Sequence, residues 1–363
     1  MLGNNQTNNL NVENSGNNQG LVAAVNNAPV VIQNGLNYAD TKSICMDIVK
    51  EELTKYHNEA LIEAKKRNDE LFEKVISKLQ ENKMTDADAL NEFKNPAMQY
   101  DYAEAQKAYI KAGTPELAAV LSDILVRRLA ESSRTLLQIS LGEAIQIAPK
   151  LVKSQMATLA LIFVLEHTRR FSINNHSSLS IYLRQIILPL FQNGVSNKDS
   201  EFQHLMFTGC SQQTAFIRDP VHFIKSAYSG LFMAGFHITE LPKDHNGINI
   251  ASAYPTLFTQ CLNDPEKIQI NAMEDTYLSE LLTHLKMPDV DQKIIKDLFE
   301  NNLLSDEDSK KLLLKLVPEM NELLEYWETS QIKHCILSSV GIVIGAQYSH
   351  LITGQEYDLG IWI

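Results

Sequence analysis

The sequence predicts a mainly α-helical protein: a multi-helix, bundle-like body with a short Asn-rich β segment at the N-terminus and a small, winged-helix-like module at the C-terminus. Three observations carry this. Apolar residues recur at helical spacing from Cys45 to Leu79, and again in the stretches punctuated by Pro96, Pro115 and Pro149. Runs of β-branched residues concentrate before Gly35 and after His334. Apolar residues make up 44% of the chain and charged residues 21%, the mix of a chain that buries a substantial core.

The first 36 residues differ from everything after them. The tetrapeptide GNNQ occurs at Gly3–Gln6 and again at Gly16–Gln19, and Glu13 is the one charge before Gly35. Asn and Gly suit turns because both tolerate left-handed backbone angles. The runs between them, Leu10–Val12, Leu21–Val25 and Val30–Ile32, suit short strands. A lone hairpin of this size is marginal in water. The segment is therefore either a loose tail or is stabilised by neighbours, and stacked copies would let Asn side chains form ladders between chains. In the second case Leu21, Val22, Val25, Val30, Val31 and Ile32 are interaction residues.

After Gly35, Asp40 or Thr41 can cap a helix running to about Lys83, longer than globular helices usually are. Its stripe is Cys45, Val49, Leu53, Tyr56, Ala60, Ala64, Leu71, Val75 and Leu79, opposite a face dense with Lys and Glu. Such a helix packs on its own domain or pairs with another subunit, and the small Ala60 and Ala64 permit close approach. Helices are next expected at Tyr100–Ala112, Pro115–Ala130, Arg134–Ala148, Ser154–Arg170 and Ser178–Phe191. The run Thr158–His167 is apolar almost all round and predicts a central buried helix. Short helices follow around Glu201–Phe207 and Val221–Phe232. Residues 236–275, with Pro242, Gly247, Pro255 and Pro265, read as an irregular connector. Helices at Asp275–Leu285, Asp289–Glu300 and Ser305–Glu328 precede a β-rich tail, whose Trp362 is expected to dock into a pocket on this chain or a neighbour. The expected divisions are 1–36, 37–113, 114–235, 236–275 and 276–363.

The net charge of −12 argues against a dedicated nucleic-acid binder. Charge is uneven, with an excess of three positive charges over 114–235 and of six negative charges over 276–330. Cys45, Cys210, Cys261 and Cys335 follow no paired spacing and read as free thiols of a reducing compartment. No secretory signal opens the chain, and its greasiest stretches, Met156–Leu165 and Cys335–Ala346, fall short of a membrane span. The expected location is the cytoplasm, with no membrane partner.

Several stretches together resemble an uncharacterised bacterial family: the MLGNN start, GLNYADTKSIC at Gly35–Cys45, TLALIF at Thr158–Phe163 and FQHLMFTGC at Phe202–Cys210. To these add YSGLFMAGF at Tyr228–Phe236, CLNDPEKIQINA at Cys261–Ala272, SVGIVIG at Ser339–Gly345 and DLGIWI at Asp358–Ile363. That family begins with an Asn/Gly-rich β-like segment and ends in a DLxIWI tail, and the resemblance implies no activity, cofactor or site residue. Comparable openings precede helical bodies in bacterial proteins of anti-phage and stress responses, which by analogy implies a defence role. The end of the chain, ILSSVGIVIGAQY, is also similar to the close of a winged-helix module. Its acidic surroundings oppose phosphate contacts, so such a module would bind protein.

No phosphate-binding loop, H-E-x-x-H, G-x-S-x-G or kinase motif is present. The best chemical candidates are His204, Cys210 and His222, with Asp219 nearby: Cys with His makes a nucleophile, and two His with a Cys hold zinc. Their separations match no common metal spacing, and such residues are more often buried core groups. Arg127, Arg128, Arg169 and Arg170, joined by Arg134 and Arg184, form a candidate anion patch, since Arg recognises anions bidentately. Ordinary ion pairs are the simpler account. His237 and His245 flank a Pro-Lys-Asp loop and would share a metal only if the chain folded back. No cofactor or metal is expected.

The functional expectation is a non-enzymatic, self-assembling scaffold or sensor, a homo-oligomer able to take a protein partner. The alternatives are an enzyme with its site around His204, Cys210 and His222, and a nucleic-acid-binding regulator acting through the C-terminal module.

Overall fold

The computed structural model describes residues 38–82 and 91–363. The Asn-rich β segment, with Leu21, Val22, Val25, Val30, Val31 and Ile32, lies outside the described residues. The chain divides into two compact units, Met1–Lys65 and Lys66–Ile363. Mainly α architecture is what the sequence predicts and what forms.

The long helix is present as α1 (Tyr38–Glu81), a span that holds neither Gly nor Pro. In the first unit its apolar residues face solvent: Val49 is 56% exposed, Leu53 61% and Tyr56 57%.

In the second unit, Leu71, Val75 and Leu79 are buried. Helix α2 (Pro96–Ala112) begins on an Asn95 cap, with Pro at the first helical position. It ends at Gly113, whose φ of 68° is a left-handed cap suited to glycine. Tyr109 Oη donates to Glu70, and Gln106 to Asn68, tying α2 to the last turns of α1. Helix α3 (Pro115–Ala130) has the predicted bounds, and Lys78 of α1 pairs with its Asp123 at 3.1 Å. Next come α4 (Leu136–Ile147) and α5 (Lys153–His167), the buried central helix.

The expected Ser178–Phe191 helix is interrupted. Helix α6 (His176–Tyr182) runs through a wide turn at Leu183–Ile187, where Leu188 N donates to Leu183 O, into α7 (Leu188–Gln192). The cause is Pro189, whose ring cannot sit against the carbonyl four residues back in a regular α-helix. Then follow α8 (Asp199–Phe207), β1 (Ser211–Gln213) and α9 (Pro220–Ala227).

Residues 236–275 are irregular, as expected, yet they are more than a connector. They contribute α10 (Ile250–Ala253) and the antiparallel pair β2 (Phe258–Gln260) and β3 (Ile268–Ile270). With α11 (Asp275–His284) and α12 (Asp289–Asn301) they build a second core of Phe236, Ile250, Leu257, Ile270, Leu278 and Phe299, among others.

The single helix expected at Ser305–Glu328 is two, α13 (Asp306–Leu316) and α14 (Met320–Thr329). Pro318 breaks it by disfavouring the helical region for Val317, which sits at φ −141° and ψ 86°.

The β-rich tail is corrected. Only β4 (Cys335–Leu337) is extended, paired antiparallel with β1 in the register Ser211 to Leu337. Helix α15 (Ser339–Thr353) then takes up SVGIVIG. Ser338 caps it by accepting from Gly341 N, and Gly354 ends it in the left-handed region. Full burial overrides the β preference of Val and Ile. Gly345 lies so close to α5 that a Cβ there would stand 2.6 Å from the Leu159 carbonyl oxygen, and Gly341 backs onto the Cys210 carbonyl. The partner of β4 is thus β1, from outside 276–363.

Candidate functional site

Among the described residues, His204, Cys210 and His222 each hydrogen-bond to other partners and not to one another. His204 on α8 places Nδ1 3.0 Å from Gln155 Nε2, and its ring stacks on Phe207. Cys210 is fully buried, Thr208 Oγ1 donates to its sulfur at 3.5 Å, and burial pushes its thiol pKa up. A thiol held protonated is a poor nucleophile. His222 on α9 faces solvent, with Ser226 Oγ 3.4 Å from its Nε2. No cluster with metal-ligand geometry among the described residues includes any of the three.

The arginines do not converge either. Arg127 donates to the Tyr357 carbonyl at 2.8 Å and so anchors the C-terminal tail. Arg128, with its side chain 3% exposed, pairs with Asp101 at 3.0 Å and Glu92 at 3.4 Å. Arg169 pairs with Glu274 and lies 4.9 Å over the Phe171 ring. Arg170 lies 5.5 Å over Tyr182, and its backbone N–H donates to Tyr228 Oη. Arg184 donates to the Leu316 carbonyl and faces Glu319. The arrangement is a set of separate structural pairs.

A two-bonded ion pair was invisible in the sequence. Arg218, in the loop after β1, holds Glu166 of α5 through two bonds of 2.7 Å, and the Glu166 side chain is 2% exposed. Burial pushes that carboxyl up to about 7, although Arg218 opposes the shift. Burial also lowers the pKa of the adjacent His167, with Arg218 adding to the effect.

One cluster among the described residues brings metal-type donors together: Asp244, His245 and Asp291, all within 4.8 Å. The chain does fold back at His245, but onto α12, and His237 is not part of the group. Asp291 is buried and accepts from His245 N at 2.9 Å, His245 Nδ1 at 2.6 Å and Tyr254 Oη at 2.6 Å. Burial pushes the Asp291 carboxyl up, and the bonds from Tyr254 and His245 outweigh it and hold it below its ordinary value. The bond to Asp291 drives the Tyr254 hydroxyl up to about 12. Asp244 accepts from the backbone of Asn246 and Ile248. With their acceptors filled, these residues lock the 244–254 loop onto α12.

Trp362 meets its own chain: its ring stands edge-on to Phe163 of α5 at 5.1 Å, beside Tyr357. The leading part of α1 is among the places that leave large apolar side chains exposed. Val49, Leu53 and Tyr56, on one face of the helix, are between 56% and 61% exposed. Singly exposed apolar residues are ordinary, whereas a contiguous stripe marks an interaction surface. This stripe is the candidate functional site.

A family model described only as "-like" matches residues 35–363. The chain belongs to that family. No curated protein and no solved structure matches it. Among the described residues, no helix is long and apolar enough to cross a membrane.

Proposed function

We propose that the protein is a non-enzymatic, self-assembling scaffold or sensor of the bacterial cytoplasm, a homo-oligomer held by the leading part of α1. The observation that carries this reading is the apolar stripe from Val49 to Tyr56, exposed on a helix whose later stripe, Leu71 to Leu79, is core. Burying a side chain of the Val or Leu class contributes about 1.5–3 kcal/mol, so several of them across one interface outweigh the cost of association. The Asn-rich opening, with Leu21, Val22, Val25, Val30, Val31 and Ile32, is the second contact of the assembly and a place for a protein partner. All four cysteines are free, which fits a reducing compartment. The likeness of the opening to proteins of anti-phage and stress responses supports a role in defence.

The test is mass by light scattering during gel filtration, on the full chain and on a variant lacking residues 2–36. An oligomer that persists without residues 2–36 assigns the contact to α1. A smaller species assigns it to the opening. A monomeric full chain overturns the reading.

A further inference from the structure

We propose that residues 45–64 of α1 pair in parallel and in register with the same residues of a second copy of this chain. The inference rests on the self-assembly reading and names the geometry of its contact. The stripe runs Cys45, Val49, Leu53, Tyr56, Ala60, Ala64, in steps of four, four, three, four and four. That is an eleven-residue cycle at about 3.67 residues per turn, close enough to the natural α-helical period to stay on one face. Every stripe side chain but two small alanines and Cys45 is large, and Ala60 and Ala64 let the two backbones approach closely toward the C-terminal end of the contact.

The charges beside the stripe select the orientation. At this period, Met46, Lys50, His57 and Leu61 fall along one edge, and Ile48, Glu52 and Glu59 fall along the other. One edge carries the Lys50 ammonium and the His57 imidazole, and the other carboxylates. In a parallel pair each edge faces the opposite edge of its partner, so Lys50 and His57 lie beside the partner's Glu52 and Glu59 on both sides of the seam. An antiparallel pair sets like edges together, Glu52 beside the partner's Glu59, which is destabilising. Among the described residues, Lys50 pairs with Asp47 at 3.8 Å, and both groups are more than 70% exposed, so the pair hardly competes. The parallel arrangement is isologous and closed, giving a defined dimer.

It also places Cys45 opposite Cys45 of the partner subunit, and Cys45 is the exposed cysteine of the chain, the other three being buried. The experiment oxidises the native full-length chain with diamide, which takes up the two electrons and two protons released as two thiols join. Covalent dimer is read on a non-reducing gel, alongside the light-scattering mass before oxidation. The expected result is a non-covalent dimer that becomes covalent through Cys45, with loss of the band in Cys45→Ser. In that background Val49→Cys restores the band and Glu51→Cys, on the outer face, does not. A dimer that leaves Cys45 and Val49→Cys uncrosslinked overturns the parallel geometry and leaves self-assembly standing. A monomer before oxidation overturns both.

Discussion

One apolar stripe of α1 meets two fates. From Leu71 to Leu79 it is buried against the helical body of the second unit, where Tyr109, Gln106 and Asp123 also hold the helix by polar contacts. From Val49 to Tyr56 the same kind of residues, at the same kind of spacing, stand more than half exposed. The difference teaches that amphipathic periodicity specifies a face that needs covering, and that only the packing says what covers it. In the later turns the chain covers itself. In the earlier turns the account assigns the task to a second copy.

The sharpest contrast comes from matched truncations. Leu71→Ala, at a fully buried site, is expected to cost about 2–5 kcal/mol of unfolding free energy. Leu53→Ala should change the unfolding of the body by no more than about 0.5 kcal/mol while weakening self-association. Denaturant titration followed by tryptophan fluorescence reads the first effect and dilution by gel filtration the second. Equal stability losses at the two sites would erase the contrast.

The packed pair of helices α5 and α15 supplies a second reference for what buried packing demands. A methyl group at position 345 would press on the Leu159 carbonyl, so Gly345→Ala is expected to cost about 1–3 kcal/mol through overpacking. Self-association should be untouched, and a change in dilution behaviour would mean that the two regions are coupled.

In the body, proton concentration should act through Glu166. Glu166 binds its proton more tightly folded, near pH 7, than it would unfolded, near 4.5. Its contribution to stability is thus fully present below pH 4.5 and lost as pH rises through 7. Relative to Glu166→Gln, the native protein should gain stability between pH 8 and pH 5. A constant difference between the two melting temperatures across that range would refute this.

The smallest effect belongs to the charged edges of the stripe. Exposed pairs such as Lys50 with the partner's Glu52 contribute about 0.2–1 kcal/mol and are screened by salt. Raising salt from 0.05 to 0.5 M should weaken the dimer by a few-fold, and tighter dimerisation in salt would argue against complementary edges.

Much of this was legible in the residues. Prolines at 96, 115 and 149 and the helical recurrence of apolar positions placed most helices, and α3 kept its expected bounds. The misses share a physical cause. SVGIVIG carries β-prone side chains and two glycines, and only burial between α5 and the Cys210 carbonyl turns that composition into a helix. Pro318 was present in the sequence and ends α13, but the helical pattern on both sides of it read as continuous. The second core around Phe236 and Ile270 unites short, irregular pieces whose local signals carry no period. For the site, the candidates His204, Cys210 and His222 were chosen by residue type, and type alone does not bring groups together. Glu166 with Arg218, and His245 with Asp291, join residues 52 and 46 positions apart in the chain, which no spacing rule anticipates. The α1 stripe was readable throughout, and the structure added that its first half is exposed.

The most direct measurement is the light-scattering mass of the double variant Leu53→Glu/Tyr56→Glu beside the native chain, at matched concentration. The account predicts twice the chain mass for the native protein and a single chain mass for the variant, with the helical content and unfolding of the body unchanged. A variant that keeps the native mass, or a native chain that is already monomeric, would contradict it.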